Sequence, residues 1–204
     1  MQKVLKILIP ILIVIITYWI IYLIASSKNI ELVGGEAYEV KVYMPEYDAI
    51  IKMLSDMKNM GKSYASEDLE RLLYRGNIWI AANLKGRQGV YVNTFGIIKR
   101  IYINDKALMK PVEFLDKIKF VDIDISYMKA FGYLNLIGTI FHEYIHYSET
   151  IDEKYAYNKE IAFYKQIKDT NFYQNLNSDE VDYYDWAIES SIKSTKEAKR
   201  KELQ

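Results

Sequence analysis

Residues 7–25 form a run of nineteen uncharged positions, nearly all Ile, Leu, Val or aromatic, and this run constrains the chain more than any other feature. As a helix it rises about 28 Å at 1.5 Å per residue, enough to cross the hydrocarbon layer of a bilayer. A cleaved secretory signal has a shorter apolar region, about 7 to 15 residues, ending in a small-x-small site. Here Leu23 and Ile24 crowd the small cluster Ala25, Ser26 and Ser27, so the run reads as an uncleaved signal anchor. Pro10 falls in the first turns, where its missing donor costs least. Lys3 and Lys6 precede the run, whereas Lys28 is soon opposed by Glu31 and Glu36. The positive-inside rule then keeps the N-terminus in the cytoplasm and puts the C-terminal domain outside, as a single-pass protein of the cell membrane. Tyr18, Trp19 and Tyr22 gather toward the far end, as an aromatic belt does at the outer interface.

The remaining 179 residues carry 25 basic and 27 acidic groups. Such a balance offers no field for steering onto nucleic acid, so none is expected as a partner. With no cysteine in the chain, disulfide frameworks, thiolate metal sites and thiol nucleophiles are excluded. Three regions follow: an anchor over 1–25, a linker over 26–45 containing Gly34, Gly35 and a loose strand at 37–43, and a folded domain over 46–204. In that domain Ile50, Met53, Leu54 and Met57 recur at helical spacing up to a stop at Gly61. Ser66 is placed to cap a second, shorter helix that ends at Gly76. The period then changes. Stretches 77–84, 90–92 and 97–104 are rich in β-branched and aromatic residues and are separated by turn residues, which predicts a small antiparallel sheet. Val121, Ile123 and Ile125 alternate with Asp122 and Asp124, as in a half-exposed strand. Beyond Ser126 the pattern is helical: about 127–148, about 153–167, and a third helix from an Asn177 and Glu180 capping pair through Trp186 and Ile192. The charged tail after Ser194 is expected to fray.

One motif carries chemistry. His142-Glu143-Tyr144-Ile145-His146 is an HExxH sequence inside a helix-period apolar stretch, and its histidines are the only two in the chain. Residues four apart project from one helix face with Cβ atoms about 5–6 Å apart, so both rings can reach one tetrahedral zinc ion. Glu143, turned about 100° from His142, lies beside that ion and can act as general base toward an activated water. The motif's neighbours at 139–141, 144–145 and 147 are uncharged, as a helix buried on both sides requires.

A catalytic zinc needs a third protein ligand and an open position. No histidine remains, so the ligand must be a carboxylate. Asp152 matches the spacing of the metzincin pattern HExxHxxGxxH with aspartate last, but Glu149 stands where that pattern needs glycine for a sharp turn. A helical hairpin suits the chain better. If the motif helix ends near 148–150 and the next begins near Asp152, Glu153 comes level with His146. Glu160, about 10 Å further along the axis, is the alternative third ligand. The carboxylate not used would be a solvated surface charge near Lys154 or Lys165.

HExxH followed by Glu153-x-x-Ala156-Tyr157 resembles the gluzincin group of metallopeptidases and, more narrowly, the small ImmA/IrrE-like and related minimal zincin domains. The resemblance covers about thirty residues, from Gly138 to Ile167. It implies an α+β zincin-like fold with a small sheet and C-terminal helices carrying the motif, zinc as cofactor, and a peptide or protein substrate paired with a strand edge upstream of the motif helix, for which 97–104 is the candidate. It departs from the thermolysin-type pattern, in which an aspartate four residues after the ligand glutamate orients a histidine. That place is Tyr157 after Glu153, or Tyr164 after Glu160. Tyr157 is also the tyrosine nearest in sequence for stabilising an oxyanion.

Two weaker signals carry no function. Gly61-Lys62-Ser63 looks like the end of a phosphate loop, but Asp56 stands where that loop needs glycine and the segment upstream is helical. Basic residues at 196–201 are diluted by Glu197 and Glu202, as on a solvated helix. The expected protein is thus a zinc metallopeptidase held in the membrane by residues 7–25. An inactive membrane-tethered binding protein on the same fold, or a zinc hydrolase of a non-peptide amide, are the alternatives.

Overall fold

Apolar periodicity becomes regular structure along most of the chain. A computed structural model describes residues 2–115 and 123–202. Its elements are α1 (Gln2–Leu32), β1 (Ala37–Glu39), α2 (Pro45–Asn59), α3 (Ser63–Tyr74), β2 (Ile78–Ala81), β3 (Gly89–Thr94), β4 (Ile98–Asn104), α4 (Asp105–Met109), α5 (Pro111–Leu115), α6 (Ile125–Ser148), α7 (Glu153–Gln166), a 3₁₀ turn (Ile167–Asp169), α8 (Asn171–Gln174) and α9 (Ser178–Glu202). The fold is α+β, with one apolar N-terminal helix long enough to span a membrane.

That helix does not stop at Ala25. It continues through Leu32, and its last two turns dock on the sheet, so the region expected to be linker begins as ordered helix. Asn29, fully buried, is the fastener. Its Nδ2 donates to Thr94 Oγ1 at 3.1 Å and to the Ile98 carbonyl at 3.4 Å, and the Tyr102 hydroxyl donates to its Oδ1. A buried amide of this kind is tolerated because both its ends are satisfied. Gly34 and Gly35, at φ of +94° and +86°, then turn the chain into β1. Strand β1 is shorter than the expected 37–43.

Strand order is β1-β2-β4-β3. The sheet is mixed, which corrects the expectation of an antiparallel one: β1 and β3 run antiparallel to their neighbours, while β2 and β4 pair in parallel. After β2 the chain crosses to the edge as β3 before a hairpin returns it as β4 beside β2, and that detour sets the parallel pairing. Ile101 and Ile103 of β4 face the main core with Ile78 and Ile80, packed against α2, α3 and α6. On the other face Tyr102 joins Val33, Ala81, Leu84 and Val92 in a smaller cluster beneath the end of α1.

Pro45 occupies the first turn of α2, where its missing donor is harmless. Helix α3 begins at Ser63, not at Ser66, whose buried hydroxyl donates to the Leu54 carbonyl at 2.7 Å and ties α3 to α2. The strand expected around 121–125 is not formed by its described part. Asp124 caps α6 through the Ser126 N–H and Ile125 opens that helix, while Val121 and Asp122 lie outside the described residues. Asn177 and Glu180 cap α9 reciprocally, as expected. The tail after Ser194 is helical to Glu202, because Thr195 is buried against α7 and finds a partner there.

Candidate metal centre

Helices α6 and α7 form a tight hairpin. Helix α6 ends at Ser148, and Asp152 caps α7 by accepting from the Lys154 and Tyr155 N–H groups. The short turn fixes the register of α7 against α6. His142 and His146, one turn apart, hold their rings 4.8 Å apart by centroid. Glu153, first residue of α7, brings Oε2 to 3.2 Å from His142 Nε2 and 3.4 Å from His146 Nε2. Glu160, two turns further along α7, lies on the other side of the His142 ring, with Oε2 3.1 Å from Nδ1.

These contacts favour one tautomer of each ring. Glu160 Oε1 accepts from the hydroxyls of Tyr164 and Thr195, each at 3.0 Å, so its other oxygen is left to accept from His142 Nδ1–H. His146 Nδ1 lies 3.0 Å from the Thr150 carbonyl and must donate as well. In the neutral form these contacts favour the proton on Nδ1 of both rings. The two Nε2 lone pairs face each other at 3.0 Å, with the Glu153 carboxylate beside them. With both rings neutral, two Nε2 atoms and a carboxylate oxygen converge as acceptors, a donor set that could accept a cation. Tetrahedral bonds of about 2.0–2.1 Å to nitrogen and oxygen separate ligand atoms by about 3.3 Å, the spacing found here. His142, His146 and Glu153 could thus hold a metal ion. The surrounding carboxylates favour positive charge here, on the His142 ring itself or on a bound ion. Burial alone lowers the pKa of His142, but Glu160, through its hydrogen bond and charge, with Glu143 and Glu153, outweighs it and raises the net value.

Glu143 reaches toward β3, where the Tyr91 N–H donates to its Oε2 at 2.7 Å. The Glu143 side chain is half-buried and lines a cleft, with the protein around it withdrawing its carboxyl from bulk water. That burial pushes its pKa up, against the lowering effects of His142, the Tyr91 N–H and His146. An upward shift is the direction that makes a carboxylate a better proton acceptor near neutrality. The cleft, about 440 Å³, is lined by His142, Glu143, Glu153 and Tyr157, by the 86–89 turn, and by residues of α9. Tyr157 stacks at a tilt on His142, 4.5 Å between centroids. Burial and then the Glu153 charge push its hydroxyl up to about 12.

The structure brings His142, Glu143, His146 and Glu153 together and sets Asp152 apart as a helix cap. Glu160 is not the solvated surface charge expected of the second carboxylate. Its side chain is only 7% exposed, and it positions His142 from behind. Gly138 makes room for this: a Cβ there would lie 1.8 Å from the Tyr164 hydroxyl. The candidate substrate edge also moves. Most of segment 97–104 is β4, interior in the strand order and paired on both sides over Ile101–Asn104, so the open edge next to the motif helix is β3. Tyr91, Tyr164 and Thr195 carried no signal of their own in the sequence, although Tyr164 falls on the same face of α7 as Glu160, one turn on. No protein-family model, curated protein or solved structure matches the chain.

Proposed function

We propose that this protein is a membrane-anchored, zinc-dependent metallopeptidase whose catalytic domain lies outside the cytoplasm. The observation that carries the reading is the convergence of the His142 and His146 Nε2 atoms and the Glu153 carboxylate within ligating distance of one point, with an acceptor on the far side of each ring to take the Nδ1 proton. His142, His146 and Glu153 would hold the metal and leave a fourth position toward the cleft. Zinc bound there supplies Lewis acidity, polarising a carbonyl and making water a nucleophile near neutral pH.

The protein's own residues supply the rest. Tyr91 N–H fixes one oxygen of Glu143, and the other is left to take a proton from the attacking water and deliver it to the leaving amine. The free edge of β3 offers backbone groups on which an extended peptide can pair, next to the cleft. Tyr157, held against His142 and protonated at neutral pH, can donate to oxyanion charge. Lys3 and Lys6 before the span favour a cytoplasmic N-terminus.

The test uses the full chain in detergent, because residues 26–32 of α1 pack on the sheet. After reconstitution with zinc, metal analysis should find about one ion per chain. Peptide-library digestion should show cleavage that Glu143→Gln abolishes while zinc is retained. Failure to bind zinc would overturn the proposal. Zinc binding with hydrolysis confined to non-peptide amides would move the protein to the alternative hydrolase class, and zinc binding without any hydrolysis would favour a tethered binding protein.

A further inference from the structure

A second cavity, about 190 Å³, lies at the junction of α1 with the sheet, away from the metal centre. Its lining includes Tyr22, Glu39, Arg75, Trp79, Lys99 and Arg100. Arg100 is the informative residue. It is 6% exposed, and its guanidinium stacks on the Trp79 ring at 3.8 Å. It reaches Ser26 Oγ at 3.4 Å and the Tyr102 hydroxyl, both neutral. Among the described residues no carboxylate pairs with Arg100, Arg75 or Lys99. A guanidinium taken out of water without a counter-charge is costly, and its site is short of an anion. Glu39, the acid in the lining, is already held by Lys41 at 2.7 Å. The cavity is therefore cationic, and it has several times the roughly 30 Å³ that one water occupies.

Its position along α1 specifies which anion. Tyr22 belongs to the last turn of the exposed apolar run, and residues 8–25 rise about 27 Å as a helix, close to one hydrocarbon thickness. A cavity that includes Tyr22 thus sits at headgroup depth when α1 crosses a bilayer. The β3–β4 turn beside it exposes Phe95 (64%) and Ile97 (38%), and Lys28 lies over the Phe95 ring at 5.4 Å. Apolar tips flanked by a cation suit the interface between headgroups and acyl chains.

We propose that this cavity binds the phosphate of an anionic phospholipid headgroup and so seats the domain on the membrane in a fixed orientation. Arg100 receives the phosphate at the base, and Arg75 and Lys99 close on it from the rim. This goes beyond the hydrolytic reading and does not depend on it; it rests on α1 spanning the bilayer.

The experiment is native mass spectrometry of the full chain released from detergent micelles, with phosphatidylglycerol, phosphatidylcholine or inorganic phosphate added separately. One phosphatidylglycerol should bind per chain in preference to phosphatidylcholine. The double variant Arg75→Gln, Lys99→Gln, at two exposed positions, should lower that preference about twenty-five-fold, taking about fivefold per basic group near an anionic headgroup. Its circular dichroism melt should match that of the parent chain. Equal retention of the two lipids, an unchanged preference in the double variant, or inorganic phosphate displacing phosphatidylglycerol at equal concentration would each overturn the proposal. None of these readouts involves zinc or hydrolysis, so failure here is separable from failure of the peptidase reading.

Discussion

The two sides of the His142 ring present the same functional group in opposite settings. On the Nε2 side Glu153 is 48% exposed at the mouth of the cleft; on the Nδ1 side Glu160 is 7% exposed beneath α9. Glu160 has donors for both oxygens: His142 Nδ1–H on one, and the Tyr164 and Thr195 hydroxyls on the other. A buried carboxylate persists only when satisfied in this way, and the cost of moving it makes it a rigid backstop. Glu153 meets no donor hydrogen in the tautomers described above, so it is available to a cation and to solvent. Exposure and hydrogen bonding, more than residue type, thus separate the carboxylate that can ligate from the one that orients.

Removing the exposed member should have the largest effect on metal. Glu153→Ala deletes one of three donors and should weaken zinc binding by more than the roughly 10- to 100-fold typical of losing a supporting partner. Competition against a chelator of known affinity measures this directly. If Glu153→Ala bound zinc as tightly as the parent while Glu160→Ala did not, the two carboxylates would have to exchange roles.

Next in size is a change that touches neither carboxylate. Gly138→Ala puts a methyl group 1.8 Å from the hydroxyl and 2.3 Å from the Cζ of Tyr164, a ring fully buried and unable to swing aside. Overpacking of this kind should cost about 3 kcal/mol in urea unfolding, partly offset by about 1 kcal/mol from alanine's better helix propensity. Zinc affinity should fall with it, because Tyr164 is displaced from Glu160. A variant as stable as the parent would mean that the dry side of the site is looser than its packing indicates.

Glu160→Gln keeps the shape and removes the charge. Zinc affinity should drop about 10- to 100-fold, with folding retained, since the amide oxygen can still accept from Nδ1–H but the imidazole loses its anionic partner. Equal zinc affinity in parent and variant would reduce Glu160 to a packing residue.

The wet side of this site was largely legible in the sequence and the dry side was not. A four-residue spacing places two histidines on one helix face by geometry alone, and a short turn carries the register onward to Glu153, because helices transmit position rigidly. Glu160 was found as a carboxylate within reach, but its role depends on which side of the ring it meets. That is set by how α7 rolls against α6, a matter of packing. Thr195 was harder still. It stands 35 residues after Glu160 in a charged stretch, and only the way α9 packs makes it a partner. The same limit applies to the sheet. Local alternation marked β2 and β4 as strands, whereas their parallel pairing follows from a crossover that no short pattern records. At the N-terminus, hydropathy located the span but not Asn29, which turns an expected linker into a docked helix end.

The smallest predicted effect asks whether α9 belongs to the site at all. Thr195→Val keeps the branched shape but sets a methyl group in place of the hydroxyl, so one donor to Glu160 is lost. Tyr164 still donates to the same oxygen, so the carboxylate is not stranded and the loss should be about 1 kcal/mol, the net worth of one ordinary hydrogen bond. If α9 positions Glu160, zinc affinity should fall by a few-fold in the same variant, less than in Glu160→Gln, and adding Thr195→Val to Glu160→Gln should cost less than the two separately, because both act through one contact. Full additivity in that cycle would show that Thr195 supports only the fold, and the orienting side of His142 would then end at Tyr164.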